Sequence, residues 1–237
     1  MESIREFQER VPISKYEDIE DYIERVRKGE KNVLWPTEIK WFAKSSGTTN
    51  DKSKFIPVSK ESLESSHFRG GKDVMAIYTQ NHPETRVLKG KGLVIGGSQQ
   101  VNKYNNDIFY GDLSAVLISN MPFWLHFIRT PDMSITLMDE WEEKIERMAH
   151  ATMKDNVTNI SGVPSWTLVL IKRILEINKT NNLRDVWPNL EVFIHGGVSF
   201  EPYREQYKKL IPADDMHYME TYNASEGFFG IQDDPHS

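Results

Sequence analysis

Between residues 157 and 222, apolar runs of strand length alternate with segments of helical periodicity, and this alternation constrains the fold more than any other feature. Val157 to Ser161 reads as a short strand, and 165–178 as a helix with Leu168, Val169, Ile171 and Leu175 at helical spacing. Glu191 to Ile194 is strand-like again, Pro202 to Leu210 helical, and Met216 to Tyr222 a final strand. Strands joined through helices run parallel, since a tight hairpin joins only antiparallel neighbours. The pattern predicts an α/β fold with a mostly parallel sheet flanked by helices. Ligands of such open sheets gather beyond the carboxyl ends of the strands. Two polar, glycine-bearing segments fall there: His195-Gly196-Gly197 after Ile194, and Asn223 to Gly227 after Tyr222.

The first half is less regular. Ser14 with Glu17 makes a capping-box pattern ahead of Ile19, Tyr22, Ile23 and Val26, predicting an amphipathic helix that ends at Gly29. Ser59 heads a second predicted helix toward His82, which Gly70-Gly71 should weaken or break. Leu93 to Ile95 reads as a buried strand closed by Gly96-Gly97. Trp141, Ile145, Met148 and Ala149 make another helical face, with Asp139 as its cap. No repeat or Pro/Gly/Ser-rich linker divides the chain, so residues 1–237 read as a single domain.

Composition removes several function classes. Without cysteine there is no disulfide, thiolate metal site or cysteine nucleophile. The 29 basic and 35 acidic residues include no lysine–arginine run, which leaves no basic face for nucleic acid. The longest uncharged run, between Asp112 and Arg129, is interrupted by Ser114, Asn120, Pro122 and His126. It falls short of the roughly 20 apolar residues a membrane span needs. Met1 to Arg10 is charged and lacks the apolar stretch of a signal peptide. The expectation is a cytoplasmic protein that acts on small molecules, with neither nucleic acid nor membrane as partner.

Three constellations carry candidate chemistry. Ser45-Ser46-Gly47-Thr48-Thr49, with Lys54 a few residues on, can surround a polyphosphate with neutral and cationic donors. It lacks the Walker A frame, and on composition alone a solvated Ser/Thr turn between two strands is the favoured account. Tyr222-Asn223-Ala224-Ser225-Glu226 offers a flat ring, a hydroxyl and a hard anionic oxygen suited to Mg²⁺, or else a strand end whose glutamate faces water. His195-Gly196-Gly197 lets a flat ligand lie against bare backbone, or simply turns the chain into the next helix.

In order and spacing these segments resemble the auxin-responsive promoter (Gretchen Hagen) family of acyl-acid amido synthetases, within the firefly-luciferase-like adenylate-forming superfamily. Ser45 to Thr49 with Lys54-Phe55-Ile56-Pro57 is similar to the family's first ATP motif (45–57). Tyr222 to Glu226 with Phe229-Gly230-Ile231 is similar to the second (222–231). Gly111 to Ser114, Pro122 to Trp124, Arg129 to Pro131 and Gly162 to Ser165 extend the resemblance over nearly the whole chain. Asp51 stands where the family usually has glycine, and Asn223 where glycine is commoner in the superfamily. The third motif and the mobile C-terminal domain would fall beyond Ser237, so the chain reads as an incomplete adenylating domain, a fragment of the large N-terminal one.

The resemblance implies a ligase that uses ATP and Mg²⁺ to activate a carboxylic acid as acyl-AMP and passes the acyl group to an amine or amino acid. It assigns Ser45, Ser46, Thr48, Thr49 and Lys54 to the phosphates, with Gly47 allowing close approach. Tyr222 and Asn223, with His195, Gly196 and Gly197, would surround the adenine. Ser225 would meet the α-phosphate, Glu226 would hold Mg²⁺, and Val163, Ser165 and Trp166 would border the acyl pocket. Three alternatives remain open: a coenzyme A ligase of the same superfamily, a nucleotide-binding remnant without turnover, and a serine hydrolase using Ser45, Ser46 or Ser225 with His195. The last lacks the G-x-S-x-G elbow.

Overall fold

The computed structural model of the chain describes residues 3–45, 53–96, 101–104 and 107–234. Its strands are β1 (Trp41–Ser45), β2 (Lys54–Val58), β3 (Lys91–Val94), β4 (Asn102–Lys103), β5 (Phe109–Gly111), β6 (Arg129–Thr130), β7 (Val157–Gly162), β8 (Val192–His195), β9 (His217–Ala224) and β10 (Gly227–Ile231). The helices are α1 (Ile4–Arg10), α2 (Tyr16–Arg27), α3 (Lys60–Ser62), α4 (Phe68–Asn81), α5 (Leu113–Ser119), α6 (Met133–Thr136), α7 (Trp141–Thr152), α8 (Pro164–Asn178) and α9 (Arg204–Leu210). A π turn, Leu63–His67, joins α3 to α4.

Six strands form the main sheet in the order β10-β9-β8-β7-β3-β6. All neighbours are parallel except the β9–β10 hairpin. A smaller sheet, β2-β1-β5-β4, contains the β1–β2 hairpin. The predicted α/β class and the strand–helix alternation after residue 157 are both present.

The main sheet is covered on both faces, so successive residues of its central strands are buried, as at Val157-Thr158 and Val192-Phe193, instead of alternating in and out. On one face Leu93, Ile160 and Phe193 pack with Ile145 and Met148 of α7, Leu170, Ile171 and Ile174 of α8, and Tyr207 of α9. On the other, Val192 and Met219 pack with Val74 and Tyr78 of α4 and with Phe228. Each fully buried aliphatic side chain contributes about 1.5–3 kcal/mol. α8 begins with Pro at its first turn, where the missing N–H costs nothing, and ends at Lys179 with φ 53°. Val169, counted with the apolar face in sequence, is 45% exposed.

Several local expectations are corrected. The capping pair of α2 lies one residue later than Ser14 and Glu17: Lys15 N donates to Asp18 Oδ2 at 2.7 Å. Glu140, not Asp139, precedes α7 as its cap residue. The last strand continues to Ala224, because β10 folds back to pair Gly227 with Ala224 and Phe228 with Asn223. Tyr222 and Asn223 are therefore strand residues, and only Ser225 and Glu226 form the turn.

The Gly70-Gly71 pair does not break its helix. α4 runs through both residues, and the irregularity comes earlier, in the π turn. Gly70 is small for a packing reason, since a Cβ there would lie 2.3 Å from Cγ of Phe228. At Gly71 a Cβ would meet nothing within 4 Å. The two neighbouring substitutions should therefore differ in sign. Gly71→Ala should stabilise by up to about 1 kcal/mol through helix propensity, and Gly70→Ala should destabilise by about 1–3 kcal/mol through overpacking, both read from urea denaturation.

Candidate active-site cleft

Because β3, β7, β8 and β9 are parallel, their carboxyl ends share one edge of the sheet. An open cleft of about 1000 Å³ runs along the β9–β10 hairpin and takes in the β8 end of this edge. Its lining includes Ser45 at the end of β1, His195 at the end of β8, Gly197, and Tyr222, Asn223, Ser225 and Glu226 of the hairpin. Two motifs separated by about 180 residues of sequence thus reach one cleft, one from each sheet.

The backbone beside His195 is built for close approach. A Cβ at Gly196 would lie 2.4 Å from the carbonyl oxygen of Thr221 on β9, and Thr221 Oγ1 donates to the His195 carbonyl at 3.1 Å. Gly197 follows with φ +83°, which L side chains rarely adopt, and its Cβ position is 3.3 Å from Val163 Cγ2. Val163, Ser165 and Trp166 stand where β7 passes into α8, so the loops after β7 and β8 touch. None of these three lines the cleft itself. Trp166 is 37% exposed and meets Trp141 edge-on at 5.9 Å, so it is neither a core residue nor a wall of the cleft.

Tyr222 presents its ring to the opening, 62% exposed and 5.5 Å from the Phe229 ring. Glu226 is exposed at the turn and forms no ion pair with any described residue. Lys54 is paired with Ser45 across the β1–β2 hairpin, but its ammonium lies 5.5 Å from the Tyr16 ring centroid and it does not line the cleft. Ser46, Gly47, Thr48 and Thr49 lie outside the described residues.

His195 is 3% exposed and stacks on Phe200 at 4.2 Å. Burial, reinforced by the Arg204 charge, lowers its pKa to about 4, so the imidazole is neutral at physiological pH. Its Nδ1 is enclosed with no hydrogen-bond partner among the described residues. So weak a base does not suit a serine hydrolase, whose histidine must take a proton near neutrality.

Other cleft residues were not evident in the sequence. Arg204 opens α9 and brings a positive charge to the lining. Tyr78 donates to Glu191 Oε1 at 3.0 Å and meets His217 Nδ1 at 2.8 Å, while His82 and His217 stack at 3.8 Å. His67 Nδ1 bonds Asn223 Oδ1 at 2.8 Å. Apart from Asn223, no motif marks these side chains, because folding alone makes them neighbours.

The chain belongs to the GH3 family: the model described as "GH3 family N-terminal domain" matches residues 1–216. It is 31% identical over 126 residues to the jasmonoyl–L-amino acid synthetase JAR6 of Nicotiana attenuata, covering 46% of this chain and 21% of that protein. The 4-substituted benzoates–glutamate ligase GH3.12 of Arabidopsis thaliana is 24% identical, over 97% of this chain and 49% of its own length. The solved structure of the AtGH3.15 acyl acid amido synthetase in complex with 2,4-DB superposes with a TM-score of 0.78 at 17% identity, covering 100% of this chain and 51% of that one. The chain therefore spans about half the length, or less, of these relatives. The resemblance seen in the motifs is borne out at the level of family and fold. No helix among the described residues is long and apolar enough to cross a membrane.

The depressed His195 pKa has a measurable consequence for stability. In the native state the neutral ring is favoured, whereas the unfolded ring gains its proton as pH falls below about 6.5. The contribution of this group is complete above that value and is lost as pH drops toward 4. His195→Gln should remove about 2–3 kcal/mol of pH dependence between those limits, measured by urea denaturation across the range. His67 and His217, also lowered by burial, should contribute in the same direction.

Proposed function

We propose that this chain is the nucleotide-binding, acid-activating part of an ATP-dependent acid–amino acid ligase, an incomplete adenylating domain spanning residues 1–237. The observation that carries the reading is the meeting of Ser45, at the head of the first motif, with Tyr222, Ser225 and Glu226 of the second on one cleft. Family membership and the ligase relatives support it. The reaction begins with a carboxylate attacking the α-phosphorus of ATP, giving an acyl-adenylate and pyrophosphate. Displacement of AMP by an amine then forms the amide.

The main obstacle is an anion approaching a polyanion, so the site must supply positive charge and fixed donors. In this reading the Ser45 hydroxyl and the segment 46–49 hold phosphate oxygens, and Lys54, paired with Ser45 at the loop end of the hairpin, would have to swing from the Tyr16 ring to add its charge. Ser225 donates to the α-phosphate. The Tyr222 ring stacks on adenine, with Asn223 beside it and the His195-Gly196-Gly197 backbone along the edge of the base. Val163, which touches Gly197, with Ser165 and Trp166 at the start of α8, would border the acid at the margin of the cleft. Arg204 adds a cation to the same cleft.

Glu226 fits Mg²⁺. One exposed carboxylate with no competing ion pair suits a cation that binds through one or two carboxylates and the substrate phosphates. Among the described residues no cluster of three or more metal ligands offers an independent cage. Mg²⁺ would neutralise phosphate charge. The cytoplasm is the compartment that this ATP-dependent reading implies.

Calorimetric titration with ATP and AMP, with and without Mg²⁺, tests the proposal. Wild type should bind both nucleotides saturably. Tyr222→Ala should weaken both by about tenfold, in line with a stacking contribution of about 1–3 kcal/mol. Glu226→Gln should leave AMP binding intact and abolish the gain in ATP affinity that Mg²⁺ produces. A folded chain that binds neither nucleotide sinks the reading. If binding holds, the product formed by the full-length protein separates the acceptors, since a thioester would point to coenzyme A and an amide to an amino acid.

A further inference from the structure

We propose that the π turn Leu63–His67 is the device that fixes the second-motif hairpin against the first, with His67 as its positioning residue; this rests on the reading of the cleft as a nucleotide site. The turn holds the β9–β10 hairpin at two points, and the start of α4 holds it at a third. His67 Nδ1 bonds Asn223 Oδ1 at 2.8 Å, and because that oxygen only accepts, Nδ1 carries the proton. Ser66 Oγ accepts from Phe228 N at 3.0 Å. One helical turn later the bare backbone of Gly70 admits the Phe228 ring.

The same element also grips the smaller sheet. Leu63 and Phe68 pack with Ala43 of β1 and Val58 of β2, the strands whose hairpin carries the first motif. The helix is therefore anchored to both motif-bearing hairpins, and its widened turn sets their separation. Single π turns within α-helices are rare and recur at functional sites.

His67 is a costly residue for this position if its role were packing alone. It is 3% exposed, and with Nδ1 protonated its Nε2 lone pair is buried without a partner among the described residues. Burial lowers its pKa, keeping the ring neutral so that a single N–H is available for Asn223. A leucine would fill similar space without an unpaired acceptor. What a leucine lacks is the donor to Asn223, one residue from the proposed adenine platform Tyr222.

The test uses this chain with His67→Leu, His67→Asn and Asn223→Ala. Hydrogen exchange of peptides spanning 221–231 is measured without ligand, alongside thermal unfolding and ATP titration. His67→Leu should raise exchange in the hairpin by about fivefold, the size of one lost hydrogen bond, with Tm unchanged or higher. His67→Asn, which can offer an N–H at the Nδ1 position, should restore it. ATP affinity should fall about fivefold in His67→Leu, and the double variant with Asn223→Ala should bind no more weakly than Asn223→Ala alone. Unchanged hairpin exchange in His67→Leu overturns the proposal even if wild type binds ATP. Raised exchange in a protein whose wild type binds no nucleotide upholds the register role while the ligase reading fails. Should His67→Leu not fold, Ser66→Ala removes the acceptor for Phe228 N and is judged by the same hairpin exchange.

Discussion

The parallel ladder of β3, β7, β8 and β9 is the constraint from which the rest of the structure follows. Parallel strands must each be returned by a crossover, and the crossovers cover both faces with helices, so the ladder is buried on both sides. Parallel strands also end together. The segments after β7, β8 and β9 consequently converge without any contact having been specified between them in sequence. The glycines at 196 and 197 and the Ser225-Glu226 turn occupy that edge because the strands before them share a direction.

A second principle is electrostatic. The cleft places a neutral histidine, half-buried serine hydroxyls and an exposed carboxylate beside bare backbone. His195 is held neutral by burial, a state unsuited to taking a proton near neutrality. The acidic side chain in the turn remains in water, where a divalent cation could reach it without the desolvation that a buried carboxylate would suffer. Such an arrangement suits binding and charge neutralisation better than acid–base catalysis.

The second half of the chain was legible because strand-length segments such as Val192-Phe193-Ile194 alternate there with segments of helical periodicity. Boundaries set by long-range pairing were less legible. Asn223 and Ala224 look like loop residues, yet both are strand because β10 returns to bond them. Gly70 looks like a helix breaker, yet the helix continues because the space above it belongs to Phe228, more than 150 residues away in sequence. Local propensity describes what a residue costs its own helix, and nothing local records a ring arriving from another element.

The same division applies to the site. The sequence by itself determined the chemistry on offer: hydroxyls and a lysine in the first motif, a tyrosine, a serine and a glutamate in the second, and a glycine pair after an apolar strand. Spacing along the chain is a covalent property, so motif order and family could be read there. Only the tertiary structure decided which of these groups share a cleft, that Lys54 turns toward Tyr16, and that His67 reaches Asn223. Those relations depend on how a helix packs between two sheets. Packing is selected by the summed burial of many side chains, and no single stretch of sequence contains that sum.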